Sequence, residues 1–349
     1  MADFVAEVSE RLLAGTSVSV IGAGSRTRVG PARPANALSS RSHQGVVHYE
    51  PTELVITAKA GTSLTEIESM LAAEGQMLAF EPPRFSDEST FGGIVASGLA
   101  GPRRVAMGGV RDHILGVRLI NGLGEHLRFG GEVMKNVAGF DVSRLQVGAF
   151  GQLGVLTEIS MKVLPAPEVE ETRCFQLMAE DALARLHQWG QKPLPISASH
   201  WRDGMLMVRL SGTARGVSAA MQILGGDPML DAVQFWRGVR DLSDPVFRTD
   251  LPLWRLAVPP TTPATTCPLI AMDWHGGQRW TVAPQGDRSP FEWAQNVGGH
   301  ARCEAPERPV SNWQQTLPEG VARLNRRIRF AMDPNGLINP EDEGLHHAN

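Results

Sequence analysis

The sequence predicts an α+β protein of about two domains, and three observations carry that expectation. At 349 residues the chain exceeds one ordinary hydrophobic core. Its first half alternates β-rich runs and capped helices with Gly- and Pro-bearing turns. At 165–173, PAPEVEETR interrupts that texture, and helical periodicity with short β-like runs resumes beyond it. The expected division is 1–167, 168–315 and 316–349, the last comprising a helix and a polar tail.

The opening MADFVAEVSERLLAG reads as an amphipathic helix with Phe4, Val5, Val8, Leu12 and Leu13 on one face, stopped by Gly15. Acidic residues near its start and the lack of an uninterrupted apolar core set it apart from a secretory leader. TSVSVI, VVHYEP and ELVITA follow as short strands. In TSLTEIESMLAAEG, Ser63 and Glu66 fit a capping box, Leu64, Ile67 and Leu71 line one face, and Gly75 closes the end. STFGGIVASGLAG is dense in small residues, and GVRLINGLGEHLRFGG turns back on itself near Asn121–Gly124. QLGVLTEISMKVLP is a strand with Val155, Thr157, Ile159, Met161 and Val163 on one side. Past the boundary, EDALARLHQW and ARGVSAAMQIL read as helices, LMVRLSG and RWTVAP as strands. GVARLNRRIRFAM is a last helix, stopped by Pro334 and Gly336.

Composition narrows the function classes. A net charge of −4 gives no reason to expect nucleic acid or an anionic membrane as partner. No apolar run approaches the ~18–20 residues that span a bilayer. Cys174, Cys267 and Cys303 are too few and too far apart for a disulfide scaffold, a C-x-x-C metal pair or an all-cysteine iron–sulfur cluster. A cytoplasmic chain is expected.

VSVIGAGSRTRVG at 18–30 brings an apolar run into a loop with Gly22, Gly24 and Gly30. It fails as a Rossmann fingerprint: Thr27 stands where the third glycine belongs, and Pro31 and Pro34 forbid a regular helix behind it. Three glycine-rich segments, at 22–30, 92–101 and 148–154, nonetheless fall in the first half beside Ser25, Thr90 and Ser97, and none reads as opening a phosphate-binding helix. Glycine lets backbone amides approach a ligand, and consecutive turn amides hold anions. Three such loops together point to a large, partly anionic cofactor in a groove, for which a dinucleotide with a pyrophosphate is the natural candidate.

GAGSRTRVG, TFGGIVASGLAG, MGGVRDHILGVRLINGLGEHLRFG and KNVAGFDVSRLQVGAFGQLGVLTEISMKVLP, in that order and spacing, resemble the FAD-binding domain of the vanillyl-alcohol oxidase/PCMH flavoprotein superfamily. Within it, GLAGPRR, LRFGGEVMKNVAGFDVSRL and LGVLTEISMKVLP resemble the FAD-binding E subunits of bacterial glycolate oxidases, and DPNGLINP resembles the element that returns to the flavin domain. The resemblance spans residues 16–165 and, less closely, 316–340. It implies a PCMH-type domain of two α+β subdomains, an α+β cap-like domain and a C-terminal return helix. It places Gly22, Gly24, Ser25 and Arg26 at the FAD pyrophosphate. Thr90, Gly92, Gly93, Ser97 and Gly98 match the segment pressed against the cofactor, Gly108 a following loop, and Gly154 and Val155 the strand at the adenine end.

Two departures qualify the resemblance. Arg26 and Thr27 stand where covalently flavinylated relatives place a histidine, so the FAD is expected to be non-covalent, and Phe150 in GAFGQLG replaces an acid found in dehydrogenase relatives. Oxidation of a 2-hydroxy acid needs a base at the hydroxyl and a cation at the carboxylate. The nearest candidates are His275 and Arg279 in MDWHGGQRW, although a lone histidine is more often packed or exposed than catalytic. The resemblance therefore implies an FAD-dependent redox subunit of glycolate oxidase, acting on the CH–OH of a small 2-hydroxy acid. Its partners would be a catalytic FAD subunit and an iron–sulfur subunit, through which alone it would meet the inner membrane. The alternatives are a free-standing FAD-dependent 2-hydroxy acid dehydrogenase and a non-catalytic assembly subunit. Tryptophans concentrate after the boundary, and an exposed subset of them would suit a partner surface.

Overall fold

The computed structural model describes residues 3–25, 34, 36–131, 140–284, 287–304 and 315–340. Two antiparallel sheets organise them. The first has five strands in the order Val46–Glu50, Val55–Lys59, Val155–Lys162, Ile114–Ile120 and His126–Gly130. Along the central Val155–Lys162, the expected Val155, Thr157, Ile159 and Met161 are all buried. Leu156 and Ser160 are buried too, since this strand is covered on both faces.

Helix Leu64–Ala73 sets Leu64, Ile67 and Leu71 into one cluster with Ile56, Phe80, Phe91 and Ile159. Truncating one such leucine costs about 2–5 kcal/mol. Ser63 Oγ accepts the Glu66 N–H at 3.1 Å, as the capping box predicts. In the hairpin turn, Asn121 Oδ1 accepts the N–H groups of Leu123 and Glu125, both at 3.0 Å. Helix Phe4–Leu13 buries Phe4, Val8 and Leu12 against Val18, Ile120, Val155 and Ile338. Leu13 departs from the expected face and is 71% exposed, because each residue turns the helix by about 100° away from Leu12.

The second sheet runs Asp227–Pro228, Val169–Gln176, Met205–Gly212, Ile196–Arg202, Ala271–Asp273, Gln278–Val282, Leu253–Ala257 and His300–Glu304. Leu206, Val208 and Leu210 cluster with helices Ala179–Gly190 and Ala214–Leu224, and the alternate Met207 with helix Ala232–Arg240. The strand Ile196–Arg202 escapes a hydrophobic reading because Ser197, Ser199 and His200 occupy its buried positions. Trp189, Trp201, Trp236, Trp254, Trp274 and Trp280 are buried and Trp293 partly so. The described tryptophans therefore build core, and Trp313 lies outside the described residues.

The chain leaves the first sheet after Leu164–Pro165, which pairs with Gln76–Met77, and enters the second at Val169. The VEETR of the expected boundary is thus the start of a strand. The return runs through helix Glu319–Met332, none of whose side chains is buried, to a parallel bridge between Ile338 and Val18. Trp274 Nε1 donates to Gly101 O at 3.0 Å and ties one half to the other. Beside it, Glu81 Oε2 accepts Arg209 at 2.8 Å and Oε1 lies 3.3 Å from Arg103 Nε, while Arg103 also pairs with Glu170. Burial opposes a charge on Glu81, but Arg209 and Arg103 outweigh it and hold its carboxyl below the usual range. Among the described residues no helix is long and apolar enough to cross a membrane.

Candidate functional site

Residues 20–25, 90–97 and 150–156, with Ser40, Ala60 and Asn339, converge on one groove of about 880 Å³, its open mouth included. Each segment reaches it for a local reason. Strand Val20–Ile21 pairs in parallel with Leu38–Ser39 and ends in a turn where Gly24 has φ +69°. A Cβ on Gly22 would stand 2.4 Å from Thr90 Oγ1, so only glycine lets this loop lie against the second segment. Ser25 Oγ and Ser89 Oγ hydrogen-bond at 3.1 Å across the same seam.

The second segment forms a short helix, Phe91–Ser97, that its glycines conceal. Gly92 and Gly93 are poor helix formers, which hides the element in the sequence. Thr90 Oγ1 compensates by accepting the Gly93 N–H at 3.2 Å, and Phe91, Ile94 and Val95 are fully buried. Ser97 Oγ donates back to Gly93 O at 2.8 Å. In the third segment, Phe150 at φ +51° and Gly154 at φ +144° bend the chain into the central strand.

Asn339 completes the groove, and sequence reasoning missed it. Its Oδ1 accepts the Val20 N–H at 2.8 Å and its Nδ2 donates to Gly151 O at 2.7 Å. Its own N–H donates to Val18 O at 2.8 Å, while Asp333 accepts the N–H groups of Leu337 and Ile338. One side chain thus fastens the first glycine loop to the third. Only the likeness of DPNGLINP to a return element hinted at this place.

Of the residues expected at the cofactor, Gly22, Gly24, Ser25, Thr90, Gly92, Gly93, Ser97, Gly154 and Val155 line this groove. Gly98 and Gly108 are not among its lining. Gly98 ends the Phe91–Ser97 helix in the left-handed region, and Gly108, at φ +84°, packs towards Asp112. Arg26 lies outside the described residues.

Among the described residues no charged side chain lines the groove; its polar surface there is backbone, Asn339 and the hydroxyls of Ser25, Ser40, Thr90 and Ser97. Val20, Ile21, Phe150 and Leu156 supply apolar wall. Apolar walls for rings, with turn amides and hydroxyls for a pyrophosphate and no carboxylate among the described lining to repel it, fit FAD.

His275 and Arg279 stand elsewhere, and neither lines the groove. Arg279 is fully buried and gives its guanidinium to carbonyls: Nε to Gly276 O at 3.2 Å, Nη1 to Pro263 O at 2.5 Å and Nη2 to Thr262 O. Three of its five N–H donors are engaged with backbone carbonyls, which clamps the 262–276 turn. His275 sits at φ +54°, where its N–H donates to Ser199 Oγ at 3.0 Å. Burial, then His187, lowers its pKa.

Comparisons with known proteins agree with this geometry. A family model described as an FAD binding domain matches residues 2–130. Glycolate oxidase subunit GlcE of Escherichia coli (strain K12) is 42% identical over 336 residues, which are 96% of this chain and 94% of that protein. Glycolate oxidase subunit GlcD of Bacillus subtilis (strain 168) is 34% identical over 118 residues, 34% of this chain and 25% of GlcD. Among solved structures, alkyldihydroxyacetonephosphate synthase aligns with TM-score 0.66 over 97% of this chain and 74% of that one. At 14% identity, that likeness speaks for the fold alone.

Proposed function

The chain belongs to the family of GlcE-type glycolate oxidase subunits, and from that premise we propose that it is the FAD-binding redox subunit of a glycolate oxidase. The observation that carries the reading is a groove fitted to FAD in a chain that matches such a subunit over nearly its whole length. On this reading residues 1–167 form the PCMH-type domain in two α+β subdomains. Residues 168–315 form a cap-like domain, and 316–349 supply the return helix and tail.

When bound, the flavin accepts two electrons as a 2-hydroxy acid becomes a 2-oxo acid, here glycolate to glyoxylate. The protein's part is binding and orientation. Gly22, Gly24 and Ser25 present backbone amides and a hydroxyl to the pyrophosphate, with Thr90 as the facing wall. Gly92, Gly93 and Ser97 let the cofactor lie close to a helix, and Gly154 and Val155 carry its adenine end. Because the described lining contains no histidine, cysteine or tyrosine to form a covalent link, the FAD is held non-covalently.

Electrons then need another carrier. Cys174, Cys267 and Cys303 are free, and the described residues hold no group of three His, Cys, Asp or Glu placed to bind a metal. We therefore assign the onward transfer to partner subunits, a catalytic flavoprotein and an iron–sulfur protein, with the chain in the cytoplasm and meeting the membrane only through them. Acid precipitation of the purified, coloured chain tests the reading. FAD in the supernatant at about one per chain is expected. Colour in the pellet would overturn the non-covalent assignment, and a colourless chain that takes up no FAD would leave an assembly role.

A further inference from the structure

Beside the flavin groove lies a second, open cleft of about 1140 Å³, and Ser97 lines both. Leu99, Val105 and Val258 give it apolar walls, while its ionisable side chains, Arg104, Arg255, Arg302 and His300, all have cationic charged forms. The arrangement is costly. Arg255 and Arg302 are directly opposite on neighbouring strands, a position in which like charges repel. Glu304 Oε1 neutralises Arg302, accepting its Nε at 3.0 Å and Nη2 at 2.5 Å. Arg255 has weaker relief: its Nε donates to the neutral Gln278 Oε1 at 2.5 Å, Glu304 and Asp273 favour its charge, and no carboxylate of the described residues makes an ion pair with it.

Arg104, from the flavin side of the cleft, makes no ion pair among the described residues either. Its guanidinium and that of Arg255 lie 4.5 and 4.9 Å from the centroid of the Trp274 ring. Asp112, the acid that most favours its charge, is engaged with the Gly109 N–H at 2.8 Å. Burial, then Arg302 and, less strongly, Arg104, pushes Arg255 down to about 9, which leaves it charged at neutral pH. Two guanidinium groups against one aromatic ring, neither in an ion pair among the described residues, form an incomplete site.

We propose that this cleft binds the carboxylate of a small organic acid, with Arg255 and Arg104 as its anchors and Ser97 marking the end nearest the flavin groove. Guanidinium groups match a planar carboxylate through two parallel N–H donors, and both of these sit against the Trp274 ring. That the natural ligand is a 2-hydroxy acid rests on the flavin-subunit reading; that the cleft takes a carboxylate rests on its charge.

Oxalate, a carboxylate with no C–H to oxidise, is the probe, titrated calorimetrically into the purified full-length chain. Binding is expected to weaken at least tenfold in Arg255→Gln and in Arg104→Gln, and to change less than twofold in Arg185→Gln, whose side chain does not line the cleft. Unfolding midpoint and flavin content report whether each variant is folded; if Arg255→Gln is not, the outward-lying Arg104→Gln decides. No binding of oxalate to the parent chain, or undiminished binding in a folded Arg255 or Arg104 variant, would overturn the proposal. Inorganic phosphate binding as tightly as oxalate would overturn the carboxylate assignment. A chain that binds oxalate through these arginines but takes up no FAD would refute the flavin reading and leave the site standing. A flavin-loaded chain indifferent to oxalate would do the reverse.

Discussion

A methyl group on Gly22 would stand 2.4 Å from Thr90 Oγ1, and neither the loop nor the capped helix has room to retreat. Gly22→Ala is therefore expected to yield a folded chain that purifies with less than a tenth of the parent's FAD, read from the visible spectrum. A titration belongs to the same scale. His43 and His126 reach the Thr157 carbonyl and hydroxyl at 3.1 and 2.8 Å, and burial lowers the pKa of both, as it does for His275 and His300. In the window between these lowered values and about 6.5, the unfolded chain binds more protons than the folded one. Stability is then greatest above that window and falls as pH drops through it. Unfolding midpoints measured from pH 7.5 to 5.5 should decline, and His126→Gln should flatten the decline. Individual roles were legible where one residue type suits a local need, as glycine does at 22 and 154. Asn339, Arg255 and Arg302 were not, because their partners are distant in the chain and leave no periodic trace.

Among the elements, two capped helices separate fold from function. Ser63 and Thr90 each accept an N–H three residues on, at 3.1 and 3.2 Å, yet only Thr90 borders the groove. Ser63→Ala is expected to cost about 1 kcal/mol in urea unfolding with FAD content unchanged. Thr90→Ala should cost a similar amount and also lower FAD affinity, which equilibrium dialysis would show; equal affinities would place Thr90 outside the binding surface. The first of these helices was readable because Leu64, Ile67 and Leu71 repeat at helical spacing. The second was not, since a Gly-Gly pair masks an element whose stability comes from its cap and from burial. The strand Ile196–Arg202 was hidden for a related reason, three of its five buried positions being serine or histidine.

For the whole molecule, the Glu81 cluster is the decisive joint. Arg103 and Arg209 are nearly inaccessible and share Glu81, whereas Glu170, their other acid, is 40% exposed. Glu81→Gln leaves two buried guanidinium groups short of a counter-charge and is expected to cost about 3 kcal/mol, against about 1 kcal/mol or less for Glu170→Gln. Denaturant unfolding of the two variants measures the difference, and equal costs would show that the buried pairing carries no special weight. The bridge of Ile338 to Val18 and the grip of Asn339 on Val20 and Gly151 have a consequence for biosynthesis. Every strand of the second sheet is translated before the residues that fasten the first glycine loop. A growing chain can pack the five-stranded sheet early, but its groove stays open until the far half has emerged. Cofactor capture is thereby a late event, and a ribosome that stalls within the second sheet releases a product unable to hold its flavin.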